Sequence, residues 1–332
     1  MNWQKTFAPV LILVAGIAIG YTMRGAMLKE NNKTVFVMRL EGEYKHINPL
    51  LACDVADSII TDPVLLSFQK KIDVYLKNST DKNLATSVSV YFRELNDGLH
   101  FGIADTESFA PASLRKVPLM IALLKQNERM RGGNLLGRKV KFDLSNDYNT
   151  AQNIKPSQRM VPGRMYAVGD LLYRMIVYSD NNAFTLLTSI VDPAELNSVY
   201  SKLRMLNPQS IQEDEFLSVQ TYASFYRVLY NATYLSKEAS DWALNILSLS
   251  EFKAGLVAGA PPDIVVSHKF GEHSDDDAGT VQLHDCGIVY YPQHPYLLCI
   301  MSKGQNFESL AEVISGISRI TYTGVDSQHG KR

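Results

Sequence analysis

The order in which strand-like and helix-like patterns follow one another constrains this chain more than any other feature. Asp62-Pro63 opens an amphipathic run with Val64-Leu65-Leu66, Phe68, Ile72, Val74, Tyr75 and Leu76, and its N-cap and first-turn proline predict a helix. Ser87-Val88-Ser89-Val90-Tyr91-Phe92 then alternates, Asn96-Asp97-Gly98 supplies a turn, and Leu99-His100-Phe101-Gly102-Ile103 returns, which predicts a hairpin. From Leu114 to about Leu249 apolar residues recur at helical spacing, as in Leu171-Leu172 with Met175-Ile176 and Phe225 with Val228-Leu229. Three β-rich runs come late: Ile264 to Phe270, Cys286 to Tyr291 and Tyr296 to Met301, the last two joined at Pro292-Gln293-His294-Pro295. A final helix is expected over Phe307 to Ile320, with a tail over 323–332. Helix, two strands, many helices, three strands and helix is an α+β order in which both ends of the chain complete one sheet.

The composition is ordinary for a globular protein, at 46% hydrophobic and 20% charged residues, so a sizeable core is available. Basic and acidic side chains number 33 and 34, a formal charge of −1, and no long basic run occurs, so nothing indicates a nucleic-acid footprint. Cys53, Cys286 and Cys299 are too few for a disulfide scaffold and lack paired C-x-x-C spacing, and they read as buried thiols. The short turn at Pro292 to Pro295 would set Cys286 and Cys299 diagonally on neighbouring strands, so a disulfide between them is not expected. His268, His273 and His284 with Asp275-Asp276-Asp277 are rich in ligand atoms. Their spacing matches no metal motif and reads as a polar loop between strands, and no metal or other cofactor is expected.

At the amino terminus, Phe7 to Met23 is apolar between Lys5 and Arg24, so residues 1–30 read as a membrane anchor. The run lies at the short edge of the roughly 20 residues a span needs. Ala18-Ile19-Gly20 is a passable cleavage site, and a removed signal peptide is the alternative. Arg24, Lys29 and Lys33 on the far side mildly oppose the positive-inside orientation of an exported domain. Leu50-Leu51-Ala52-Cys53 mimics a lipoprotein cleavage box, yet the polar stretch Glu41 to His46 precedes it where an apolar one is required. Residues 31–61 read as an extension that packs in part on a domain over 62–322. The resulting expectation is an extracytoplasmic domain on a single-pass anchor, or a secreted one after cleavage.

Three short motifs carry the chemistry. Ser113-Leu114-Arg115-Lys116 lies where a loop enters a helix, so the positive end of the helix dipole favours an alkoxide or oxyanion there. Lys116, three residues on, shares the helix face of Ser113. A neutral Lys116 can take the serine proton, which requires burial or a cationic neighbour to lower its pKa, and Lys269 is the obvious neighbour. Ser179-Asp180-Asn181 lies between two helical runs, where a turn can present Ser179 as a proton relay and Asn181 as a holder of a substrate amide. The same three residues also suit an ordinary helix cap. Lys269-Phe270-Gly271 continues a strand, so Lys269 can point into a cleft while Gly271 admits a close backbone approach. The backbone amides of Ser113 and Glu272 would then form an oxyanion hole.

In that order the motifs match the pattern S-x-x-K, S-D-N, K-T-G. From about Asp62 to Ile320 the chain resembles class A β-lactamases and the related D,D-peptidases. The likeness is greatest in Phe109-Ala110-Pro111-Ala112-Ser113-Leu114-Arg115-Lys116-Val117-Pro118-Leu119-Met120 and in Val168-Gly169-Asp170-Leu171-Leu172 leading to Ser179-Asp180-Asn181. The resemblance implies a helical subdomain beside a five-stranded antiparallel sheet flanked by terminal helices. It also implies a serine hydrolase with Ser113 as nucleophile, Lys116 as base, Ser179 as relay, and Asn181, Lys269, Gly271 and Glu272 as substrate-binding groups. The expected partner is a β-lactam or a cell-wall peptide ending in D-Ala-D-Ala-like units. Two departures bear on activity. Leu206 to Ser218 is too short for the loop that carries the deacylating glutamate, and its Glu213 and Glu215 match no motif. Phe270 stands where a hydroxyl residue is expected to bind the substrate carboxylate, and losing that bond would cost about 1.5–3 kcal/mol. A D,D-carboxypeptidase or transpeptidase acting on peptidoglycan is one alternative, and a binding protein that keeps the fold without the chemistry is the other.

Overall fold

The computed structural model describes residues 37–39, 44–53, 63–130, 133–143, 145–202, 217–275 and 279–330. The apolar run at 7–23 and the acidic pair Glu213 and Glu215 lie outside the described residues. Among the described residues no helix is long and apolar enough to cross a membrane. Short strands β1 (Val37–Arg39) and β2 (Leu50–Cys53) form a two-stranded sheet, so the lipoprotein-like tetrapeptide is a strand. The chain divides into two compact units, Met1–Met38 with Ala52–Ile59 and Arg39–Leu51 with Ile60–Arg332, and all that follows concerns the second.

That unit is built on a five-stranded antiparallel sheet in the order β4-β3-β9-β8-β7. β3 (Ser87–Glu94) and β4 (His100–Ile103) are the early hairpin, and β7 (Val266–Asp275), β8 (Thr280–Val289) and β9 (Tyr296–Gly304) come from the end of the chain. Helices α1 (Pro63–Asp81) and, at the other end of the chain, α8 (Phe307–His329) cover one face. Their apolar stripes, including Phe68, Ile72, Leu310, Val313 and Ile317, share a core with Val90, Phe92, Leu298 and Ile300. α8 continues to His329, past the end expected at Ile320 and through most of the expected tail. Its apolar spacing persists as Thr321, Gly324 and Val325, which are buried.

The other face meets the helical part. α2 (Lys116–Arg129), α3 (Val168–Val177), α4 (Asn181–Thr188), α5 (Pro193–Lys202), α6 (Val219–Tyr230) and α7 (Lys237–Ser248) follow in chain order. Their core joins Leu119, Met120, Leu171, Met175 and Leu244 to Tyr91, Ile288, Leu297 and Met301 of the sheet. Side chains that cap helix starts recur: Ser218 accepts from Thr221 N, Ser236 from Ala239 N and Asn306 from Ser309 N. A small pair, β5 (Lys139–Lys141) and β6 (Met165–Ala167), interrupts the middle that helical spacing predicts. Ahead of α1, Ile47 joins the core, and His46 N donates to Asp241 Oδ1 at 2.9 Å.

The cysteine expectation is overturned. Cys286 and Cys299 form a disulfide and lie directly opposite in the β8–β9 register, not diagonally. The physical reason is the turn. Pairing ends at Val289 with Tyr296, so the connection includes Tyr290 and Tyr291 as well as Pro292 to Pro295. A tighter turn at the prolines would have put Met301 opposite Cys286. Replacing both cysteines, Cys286→Ala with Cys299→Ala, is expected to cost about 2–4 kcal/mol in denaturant unfolding. An intact mass that does not change on reduction would show instead that the two are thiols.

Candidate active site

Ser113 occupies a single 3-10 turn, Ala112–Arg115, that runs directly into α2 at Lys116. Ala112 has φ +47°, a left-handed conformation that alanine seldom adopts and that persists only where the surroundings impose it. Those surroundings are specific. The Tyr222 hydroxyl donates to Leu114 O at 3.0 Å, and Leu114 N donates to Pro111 O at 2.9 Å. Just ahead of the turn, Ala110 N donates to Gln282 Oε1 at 3.1 Å, and Ala110 O lies 3.0 Å from His284 Nε2. The Ser302 amide approaches His284 Nδ1 at 3.3 Å, so Nδ1 is the acceptor and Nε2 carries the proton given to Ala110. Burial lowers the His284 pKa to about 4, which keeps this imidazole neutral.

Gly271 brings strand β7 against the same turn. A Cβ there would sit 3.1 Å from Leu114 Cγ and 3.2 Å from Pro111 O, closer than the packing tolerates without movement.

The turn Ser179-Asp180-Asn181 joins α3 to α4, and here the capping and presenting readings hold together. Asp180, fully buried, accepts from Asn182 N at 2.8 Å and Ala183 N at 3.2 Å, which caps α4. It also accepts from Asn149 Nδ2 at 2.9 Å, while Asn149 Oδ1 accepts from Asn181 N at 2.7 Å. Ser179 has φ +54°, and its carbonyl accepts from Gln152 Nε2 at 2.8 Å. The cap therefore fixes a strained turn that aims Ser179 and Asn181 at Lys116.

Two buried lysines meet on Ser179. Lys116 Nζ donates to Ser179 O at 2.7 Å, Ser179 Oγ at 3.0 Å and Asn181 Oδ1 at 2.7 Å. Lys269 Nζ donates to the same Ser179 Oγ at 2.9 Å and to Phe270 O at 2.9 Å. Ser179 Oγ in turn lies 3.3 Å from Ser113 Oγ. The path from Ser113 to Lys116 thus runs through the Ser179 hydroxyl. Burial, and then the charge of Lys269, hold the Lys116 amine well below the ordinary ammonium range. Burial lowers Lys269 to about 7, against the opposing charges of Asp285 and Glu272.

Glu272 places its carboxylate across the cleft, accepting from Ile154 N at 2.9 and 3.2 Å. Burial raises its pKa, and the Ile154 and Asn153 amides oppose the rise. Phe270 is buried and stacks on Phe252, centroids 4.4 Å apart, in the core beneath α8. The hydroxyl-bearing position of the K-T-G pattern is thus filled by a core side chain. Behind the strand, His268 Nδ1 and Asp285 Oδ1 lie 2.8 Å apart, and Asp285 Oδ2 accepts from Leu256 N.

The histidine and aspartate cluster expected as a polar loop is dispersed. His268 and His284 are buried with separate partners, His273 is exposed, and 276–278 lie outside the described residues. Sequence reasoning missed Asn149, Gln152, Tyr222 and His284. The first two lie in a polar loop without periodicity, Tyr222 sits where a core residue is the ordinary expectation, and His284 reads from sequence as part of a polar loop.

Residues 67–325 match the Beta-lactamase enzyme family. Among solved structures, a point mutant of PBP-A, held as an acyl-enzyme complex with penicillin G, is 22% identical with a TM-score of 0.64, covering 79% of this chain and 97% of that one. A beta-lactamase from Chitinophaga pinensis DSM 2588 is 21% identical, TM-score 0.65, covering 78% and 99%. A class A beta-lactamase from Bacteroides cellulosilyticus DSM 14838 is 20% identical, TM-score 0.66, covering 80% and 100%. No curated protein matches the chain. With the match spanning most of its length, the chain belongs to the beta-lactamase enzyme family and is a serine hydrolase of the β-lactamase type.

Lys269 links the site to stability. It titrates near 7 folded and near 10.4 unfolded, so across that window the unfolded chain binds more protons and stability rises with pH, by at most about 1.36 kcal/mol per unit. Chemical unfolding at about pH 7.5 and 9.5 should show wild type gaining more than Lys269→Met. Parallel gains would show that Lys269 is not depressed in the fold.

Proposed function

We propose that Ser113 is acylated by β-lactams or by D-Ala-D-Ala-like amides, and that the acyl-enzyme then turns over slowly. The observation that carries this reading is the hydroxyl of Ser179, bonded to both buried lysines and within reach of Ser113 Oγ. Ser113 Oγ forms a bond to the amide carbonyl carbon as its proton passes through Ser179 to Lys116. The C–N bond then breaks, and the proton returns through Ser179 to the leaving nitrogen. Lys269 draws the substrate carboxylate, Asn181 holds the side-chain amide, and the amides of Ser113 and Glu272 receive the oxyanion. The PBP-A mutant caught as an acyl-enzyme with penicillin G supports the class of reaction.

Slow deacylation is inferred from the sequence, where Leu206 to Ser218 is too short for the loop that carries the deacylating glutamate. The carboxylates that act on Lys116, Asp180 and Glu272, both accept from backbone amides. With Phe270 in the core, carboxylate binding falls to Lys269 and lacks one hydroxyl. On incubation with penicillin, wild-type intact mass should rise by one ligand and stay raised, and Ser113→Ala should take no label. Rapid loss of the adduct with ring-opened product would mark an efficient β-lactamase. No adduct with any β-lactam or activated serine probe would favour a binding protein of the same fold.

We further infer that the apolar run at 7–23 tethers this domain outside the cytoplasm. The Cys286–Cys299 disulfide supports that placement, since such bonds persist in oxidising compartments. Membrane fractionation with protease accessibility tests it: the protein should pellet with membranes and be cut only from the outer side. Recovery in the soluble extracytoplasmic fraction would favour cleavage.

A further inference from the structure

Three side chains converge at the end of the sheet: Glu94, the last residue of β3; His294, in the connection between β8 and β9; and His329, the last residue of α8. Glu94 Oε1 lies 3.0 Å from His294 Nδ1 and 3.4 Å from His329 Nε2. The two imidazoles stack face to face, centroids 3.5 Å apart and 13° from parallel, each with a nitrogen near the same carboxylate oxygen, so one ring must rotate out of the stack for both to ligate a single ion in their own planes. We propose that Glu94, His294 and His329 bind a divalent transition-metal ion of the zinc type, clamping the end of α8 to the sheet.

Ligand chemistry, spacing and exposure agree. Two imidazoles and one carboxylate are a known three-ligand set for zinc, with water in the fourth position. Bonds of about 2.0–2.2 Å at tetrahedral angles separate ligand atoms by about 3.3–3.5 Å, against the 3.0 and 3.4 Å seen here. Side-chain exposure is 8% for Glu94, 30% for His294 and 18% for His329, so the carboxylate is sheltered while one side stays open to water.

The scaffold is fixed before any ion arrives. Leu95 N donates to Pro295 O at 3.0 Å, and Asn96 Nδ2 donates to Gln293 O, which joins the loop after β3 to the connection bearing His294. The Tyr291 hydroxyl donates to Asp326 Oδ1 at 3.0 Å and holds the last turn of α8 beside that connection. Three separate elements thus hold the ligand backbones side by side, and binding requires a side-chain rotation of one imidazole, without movement of the scaffold.

Isothermal titration of the chelator-treated full chain with Zn2+ tests the site, with Co2+ absorption in the visible as a report of tetrahedral geometry. The expected result is one equivalent bound, a raised Tm with Zn2+, and affinity lowered by at least about 100-fold, the upper end for loss of an outer-shell partner, in His294→Ala and in His329→Ala. Penicillin labelling of Ser113 should be the same in both variants, which shows that they are folded and separates this test from that of the catalytic site. Absence of binding to wild type, or binding that survives both substitutions, would overturn the proposal and leave a hydrogen-bonded cluster.

Discussion

Two ammonium groups share one hydroxyl in a place without solvent. Lys116 and Lys269 are buried, and both donate to Ser179 Oγ. Withdrawing such groups from water costs several kcal/mol each unless acceptors replace the water. Much of the surrounding structure supplies them. The carbonyls of Ser179 and Phe270 and the side-chain oxygen of Asn181 are turned inward to the amines, and the carboxylates of Asp180, Asp285 and Glu272 stand behind them. What solvation remains incomplete is expressed as depressed amine pKa values, the property a lysine needs to take a proton at neutral pH.

Holding that arrangement requires backbone that would not form by itself. Ala112 and Ser179 both adopt left-handed φ, the one next to Ser113 and the other bearing the hydroxyl that faces it. Each is locked by bonds from distant segments: Ala112 through Tyr222, Gln282 and His284 around its turn, Ser179 through Asn149 and Gln152. The sheet contributes rigidity at the point of contact, because Gly271 lets β7 lie against the turn that carries Ser113. The site is thus the meeting of a helix start, a helix cap and a strand edge, each fixed by its own core.

Much of this was legible in the sequence. Periods of two and of 3.6 placed the hairpin, the late strands and the helical middle, and the three motifs named Ser113, Lys116, Ser179, Asn181, Lys269, Gly271 and Glu272. Motifs report residues that act on each other through local spacing. They are silent on partners brought in by the fold, such as Asn149 on Asp180, or His284 on Ala110. Glu94, His294 and His329 come from three separate elements, so no spacing could have suggested them. The disulfide was missed for a finer reason: register depends on where a turn closes, and two tyrosines that read as strand belong to the connection.

The sheet order has a consequence for biogenesis. β3 lies between β4 and β9, so Tyr91 finds its partner Cys299 only after almost the whole chain has been made. Chains emerge at about 5–20 residues per second, so the early hairpin waits many seconds with one edge unpaired, as does the buried face of α1 until α8 arrives. The sheet of such a chain can close only after its late strands have been made. A sheet that stays open until its last strand is made leaves both of its flanking cores incomplete for most of elongation.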